Sequence, residues 1–171
     1  MSFLFVRGFM REHRRRVKKL MERPLPTLTE QRQLVYRPGL LDASRAYNLL
    51  NQSVFGAKLI KPEIEICRLH GGWGECIGVQ DTDGFPYCTK IRLNDKFYSI
   101  QWFITVLAHE MAHQYQWEVQ GAQRVKQGLE PIMSHGKSFF EHKEKLSQIG
   151  IYLKTTYRSE VWFETQNLFK C

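Results

Sequence analysis

Two histidines one helical turn apart, His109 and His113, with Glu110 directly behind the first, stand in the stretch AHEMAHQYQW at 108–117. Imidazoles at i and i+4 share a helix face and can hold one divalent ion between them. A carboxylate one position on, about 100° round the helix, reaches a water on the open side of that ion. The chemistry this implies is metal-assisted hydrolysis with Glu110 as general base. The competing reading is a buried helix that carries two satisfied histidines and does no chemistry.

A catalytic zinc takes three protein ligands and keeps a fourth position for water, so a third ligand must be found. The pattern with a third histidine six residues after the second fails, because that position is Val119. Downstream, Glu118, Glu130, His135, Glu141, His142 and Glu144 are the candidates. Glu118 falls about 140° round the helix from His113 and points away from the ion. SHGKSFF at 134–140 is better placed. Ser134 can cap a helix on which His135, Phe139, His142 and Leu146 share one face, and a loop over 122–133 is long enough to bring that face back over the first helix.

The elements that must position these residues are legible from period and punctuation. Residues 100–119 lack Gly and Pro and lie between Ser99, a fitting N-cap, and Gly121, a fitting stop, which predicts a helix of about five turns. Ile104, Leu107, Ala108, Met111 and Tyr115 form its apolar stripe, and Thr105, His109, Ala112, His113 and Gln116 lie on a neighbouring face. Ahead of it the period changes to two. KPEIEICRLH (61–70), ECIGVQ (75–80) and PYCTKIRLN (86–94) predict three strands of a small sheet, with Asp81, Thr82, Asp83 and Gly84 as the turn between the last two. Simple alternation puts Tyr87, Thr89, Ile91 and Leu93 on one face and Cys88, Lys90 and Arg92 on the other. An earlier core helix is expected over 43–55, with Asp42 as N-cap and Gly56 at its end. Before it, Thr27 to Glu30 fits the capping box of a short helix.

Length and composition fit one domain with terminal extensions: 171 residues, 43% hydrophobic, suffice for one sizeable core. The divisions expected are a basic arm and linker at 1–26, ended by Pro24 and Pro26, a folded domain at 27–150, and an extension at 151–171 whose aromatic residues pack on the body. Cys67, Cys76, Cys88 and Cys171 contain no C-x-x-C pair and are too sparse to staple the fold, so reduced thiols in an intracellular, cytoplasmic setting are expected. Cys67, His70, Cys76 and Cys88 could in principle ligate a second metal. Their spacing matches no common zinc module, and small thiols on strands are the simpler reading. Arg7 interrupts the apolar start before a signal peptide or membrane span could form, so no membrane association is expected.

The net charge of +8 is uneven. Residues 1–23 hold eight Lys or Arg against Glu12 and Glu22, which gives +6, whereas the rest carries 17 basic and 15 acidic residues, which gives +2. In REHRRRVKKL (11–20) the cations fall all round a helix, as expected of a solvated segment that binds nucleic acid or another polyanion through Arg11, Arg14, Arg15, Arg16, Lys18 and Lys19. The plainer alternative is a solvated helix with no specific partner.

Four segments in order resemble the SprT-like metallopeptidases, which include the Spartan proteases: YNLLNQSVFGAKL (47–59), KIRLN (90–94), LAHEMAHQYQW (107–117) and HGKSF (135–139). The likeness runs from about Tyr47 to Leu146. It implies an α+β, minimal zincin-like metalloprotease domain in which a small three-stranded sheet packs with an active-site helix and a third-ligand helix. It also implies Zn2+ held by His109, His113 and His135, with Glu110 as the base, and a protein substrate. Departures are the missing zinc ribbon and the absence of a recognisable DNA-reaching module, for which the basic arm would substitute. Compact chains of this type resemble those of bacteriophages, so a phage-encoded or virion-associated setting is also expected.

Tyr87, Tyr98, Tyr115 and His142 are candidates for a further oxyanion donor by residue type. An extended substrate would add to the sheet edge near 87–93 with loose sequence specificity. The alternative function is a zinc-stabilised, non-catalytic structural or nucleic-acid-binding module such as a virion component. Glu110 speaks against that alternative, because a structural zinc needs no base and usually has four protein ligands.

Overall fold

A computed structural model describes residues 3–22 and 36–157, without the side chains of 3–11. The short helix expected from Thr27 and the aromatic stretch at 161–169 lie outside the described residues. In chain order come α1 (Phe3–Met21), α2 (Leu40–Ser53), β1 (Glu63–Cys67), β2 (Gly74–Gln80), β3 (Pro86–Asn94) and α3 (Ile100–Tyr115). α3 runs on through a π-helical turn (Gln116–Gln120) into α4 (Gly121–Val125), and a 3-10 turn (Phe139–His142) leads into α5 (Lys143–Ser147). The fold is α+β with a three-stranded mixed sheet of order β1-β3-β2, β3 running parallel to β1 and antiparallel to β2.

β3 is therefore the central strand, paired on both sides from Lys90 to Leu93. This overturns the expected substrate edge over 90–93, where β1 and β2 pair with both sides of β3; over 87–89 only β2 pairs with it, and on the other side the Cys88 N–H is taken by the Glu118 carboxylate. The simple alternation of β3 is also corrected. A bulge opposite Ile77 and Gly78 makes Thr89 the extra residue, so the buried phase passes from Pro86 and Cys88 to Ile91 and Leu93, leaving Tyr87 and Thr89 exposed. On the outer face Lys90 bridges Glu63 and Glu65 while Arg92 bridges Glu65 and Glu75, which satisfies the charges that alternate with Ile64 and Ile66.

α2 starts three residues before the expected position. Gly39 is its N-cap, and the Asp42 carboxylate, in the first turn, accepts from the Gly39 N–H at 3.3 Å. α3 begins as Ser99 predicts, the serine hydroxyl accepting from the Trp102 N–H at 3.1 Å. Its end differs. Gly121 takes helical torsions (φ −58°, ψ −46°) instead of stopping the helix, which passes through a π-turn into α4.

α3 is the centre of the molecule. All its residues except Ile100 and His113 are buried, the polar face as fully as the apolar stripe. Buried polar groups there must find partners. Gln114 does so by accepting from the Tyr47 hydroxyl at 3.0 Å and donating to the Ile60 carbonyl and the Glu118 carboxylate at 2.6 and 3.0 Å. Around α3, the core gathers Tyr47 and Leu50 of α2, Ile91 and Leu93 of β3, Phe139 and Leu146, and Ile151 and Leu153 beyond α5.

α1 also departs from expectation. Val17 is buried, Leu20 and Met21 pack on the core, and Arg14 Nε donates to the Ser53 carbonyl at 3.0 Å, so one face of the basic helix is docked on α2 rather than solvated all round. Arg15, Arg16, Lys18 and Lys19 stay exposed.

Candidate metal centre

His109 and His113 project from one side of α3, and the chain after α4 returns so that His135 meets them. His135 sits in a loop, not on a helix capped by Ser134. The Ser134 N–H instead donates to Gln116 Oε1 at 2.8 Å, and helical structure resumes only at Phe139. His135 Nε2 lies 3.1 Å from His113 Nε2 and 3.2 Å from His109 Nε2. A tetrahedral ion with bonds of about 2.05 Å to nitrogen needs ligand atoms about 3.3 Å apart. The two separations from His135 fit that requirement, and the ligand atoms of all three imidazoles lie within 4.8 Å of one another. Among the described residues they are the one group of three His, Cys, Asp or Glu side chains close enough to hold a metal ion.

The HGKSF segment has a clear physical role. The Phe139 N–H donates to the Gly136 carbonyl at 3.0 Å, closing a tight turn that folds the Phe139 ring back against the histidines. That ring touches all three imidazoles, with centroids 4.9 Å from His109, 4.5 Å from His113 and 4.8 Å from His135. Phe139 is thus an apolar floor that fixes the ligand rings by packing.

Burial, together with the neighbouring imidazoles, pushes the His109 pKa down to about 3 and that of His113 down to about 4. Both are neutral near pH 7, the form in which histidine ligates a metal. Glu110 behaves oppositely: burial, then the charge of Glu75, push its carboxyl up to about 8, against a hydrogen bond from the Cys76 backbone. A positive charge at the focus of the imidazoles would oppose both causes and favour the carboxylate. Gly74 makes room for this side chain, since a Cβ there would come within 2.8 Å of Glu110 Cγ and Oε1. Farther along β2, the Trp117 indole donates to the Val79 carbonyl at 3.1 Å and fills the space over Gly78.

His109 and Glu110 face a cleft of about 710 Å³ walled by Gly71, Gly72, Trp73, Asn94, Thr155 and Tyr157. None of the four expected oxyanion donors lines it. Tyr115 donates to Glu141 at 3.0 Å, His142 is buried between Phe55 and Tyr115, Tyr98 packs on Trp73 and Trp102, and Tyr87 is on the outer face of β3. Of the other candidate ligands, Glu118 accepts from the Cys88 N–H at 2.9 Å and Glu141 from Tyr115 and Gln120, while Glu130 and Glu144 are exposed and do not join the cluster. Cys76 and Cys88 are free thiols 3.4 Å apart and Cys67 lies by Arg92, with no second metal cluster among the described residues.

Residues missed by sequence reasoning are Lys154 and Tyr157. His109 Nδ1 donates to the Lys154 carbonyl at 3.0 Å, and the Tyr157 ring lies 5.1 Å from the His109 ring, in a segment that reads only as an alternating tail. No local signal links residues 45 positions apart. Compared with known proteins, the chain matches no family model, and no curated protein matches it. Among the described residues no helix is long and apolar enough to cross a membrane.

Proposed function

We propose that this chain is a zinc-dependent peptidase in which His109, His113 and His135 hold the metal and Glu110 is the general base. The observation that carries the reading is the convergence of three Nε2 atoms, 3.1 and 3.2 Å apart, beside a buried carboxyl that opens on a cleft. Two histidines on one helix could be an accident of composition. A third, brought from 22 residues away onto the same point, with a phenylalanine packed against all three rings, favours a built ligand set. The resemblance of the four segments to SprT-like metallopeptidases supports the same assignment.

When bound, zinc supplies Lewis acidity that polarises the scissile carbonyl and lowers the pKa of water toward about 7. Glu110 then takes the proton of the attacking water and passes it to the departing amine, so the carboxyl returns to its starting state after each turnover. The Cys76 N–H holds the carboxyl in place, and the space over Gly74 admits it. The cleft wall at Gly71 and Gly72 is mostly backbone, which favours extended peptide of varied sequence over one preferred side chain. Exposed Arg15, Arg16, Lys18 and Lys19 on α1 give a cationic face suited to nucleic acid, so proteins associated with nucleic acid are the substrates this reading favours.

Hydrolysis of an unfolded protein by the zinc-loaded chain and by Glu110→Gln tests the mechanism. The amide keeps the shape but accepts no proton, so activity should fall by about a hundredfold or more with zinc retained. Equal activity in the two would overturn Glu110 as base; inactivity of both on every unfolded substrate would favour a zinc-stabilised, non-catalytic module.

A further inference from the structure

Beyond α5, residues 148–157 adopt no regular element, yet they are held firmly. Ile151 and Leu153 are buried, and the Tyr157 hydroxyl ties the next turn together by donating to the Tyr152 carbonyl at 3.1 Å and accepting from the Lys154 N–H at 3.1 Å. The loop so closed presents one group to the metal centre, the Lys154 carbonyl, 3.0 Å from His109 Nδ1. The Tyr157 ring meets the His109 ring edge-on at 5.1 Å and 80°, and Trp102 at 6.4 Å behind it.

A neutral imidazole has one N–H and one lone pair. If Nδ1–H is committed to a carbonyl, the lone pair is on Nε2, the atom that faces His135. Such a partner fixes both the tautomer and the ring angle of a metal-binding histidine and raises its basicity. Within the loop, the Tyr157 proton is already given to Tyr152, so the phenol has none to offer an oxyanion in the cleft.

We propose that residues 152–157 form a clamp that orients His109 for metal binding, with Tyr157 as its positioning residue. The clamp rests on the reading of His109, His113 and His135 as metal ligands. It places the functional boundary of the site beyond 150, inside what composition marks as an extension. Tyr157 acts at a distance, through the Lys154 carbonyl, and the Lys154 side chain has no part in it.

The test uses the full chain, Tyr157→Phe and Lys154→Ala, with zinc titrated against a chromophoric chelator. The visible spectrum of each cobalt-loaded protein is recorded, and circular dichroism of the metal-free forms checks the fold. Tyr157→Phe keeps the ring and loses both hydroxyl bonds, so zinc should bind about tenfold more weakly and the cobalt bands should shift, as for loss of a group that orients a ligand. Lys154→Ala should match the parent in both. If Tyr157→Phe unfolds, a single glycine inserted between the exposed Thr155 and Thr156 uncouples Tyr157 from Lys154 with both side chains intact, and the same loss is expected. A foldable variant with parental affinity and spectrum would overturn the clamp alone. A parent that binds no zinc would overturn the ligand reading and the clamp with it.

Discussion

His142 shows how differently two histidines of one short segment can be used. His135 is exposed and aimed at His109 and His113, whereas His142 is buried against Phe55 and Tyr115 with ring centroids 4.9 and 4.3 Å away. Burial pushes its pKa down to about 4, so the unfolded chain binds a proton near pH 6.5 that the folded one refuses. Between those values the unfolded state holds more protons, and folded-state stability falls as pH is lowered through that window, by at most about 1.4 kcal/mol per pH unit for this one group. Thermal melts of the metal-free protein from pH 7 to pH 4.5 should therefore show a steeper loss of stability in the parent than in His142→Gln. Parallel curves would mean that His142 titrates normally. The variant isolates this residue from Glu110, whose raised pKa acts in the opposite sense, favouring the folded state as pH falls from about 8.

At the scale of elements, the site depends on α3 lying against β2 more closely than a side chain on Gly74 would permit. Gly74→Ala puts a methyl group within 2.8 Å of Glu110 Oε1 and 2.9 Å of Val106 Cγ1. The Glu110 carboxyl must move while the three imidazoles do not, so on the proposed mechanism turnover should drop by up to about a hundredfold, as for an ångström-scale misplacement, with zinc stoichiometry unchanged. Loss of zinc in parallel with activity would show instead that β2 supports the ligands. Much of this arrangement is legible in the sequence. Ser99 marks the start of α3, and the spacing of His109, Glu110 and His113 describes one helix face, because both are local properties of the chain. The end of α3 and the phase of β3 are not legible. Gly121 continues the helix where tertiary packing holds it, and the bulge at Thr89 depends on how β2 pairs, which alternation in β3 alone does not encode.

For the whole molecule, charge and packing divide α1 between two roles. The run REHRRRVKKL reads as cationic all round, yet Val17 is buried and Arg14 is bound to the Ser53 carbonyl, since a helix can dock through a narrow stripe while its other residues face water. Removing the arm would therefore disturb the fold as well as the charge. Replacing exposed Arg15, Arg16, Lys18 and Lys19 with Gln leaves the docked face intact. On duplex DNA across a salt series, this variant should bind more weakly, and its log–log salt slope should shrink by about 0.9 for each phosphate it no longer neutralises. An unchanged slope would mean that this face of α1 does not bind nucleic acid. Packing between distant segments also explains why spacing alone favours the 134–140 segment without fixing His135, which the resemblance supplies, and why the Lys154 carbonyl could not be anticipated. Spacing constrains neighbours on one helix and says nothing about which loop returns to them.

Zinc stoichiometry, measured by elemental analysis of the purified chain and of His109→Ala, His113→Ala and His135→Ala, decides whether the three histidines are a metal centre. The convergence of Nε2 atoms at 3.1 and 3.2 Å predicts one zinc per parent chain and loss of tight binding in each variant, His135→Ala included, with folds retained by circular dichroism. A parent without stoichiometric zinc, or full zinc retention in folded His135→Ala, would contradict the three-histidine centre.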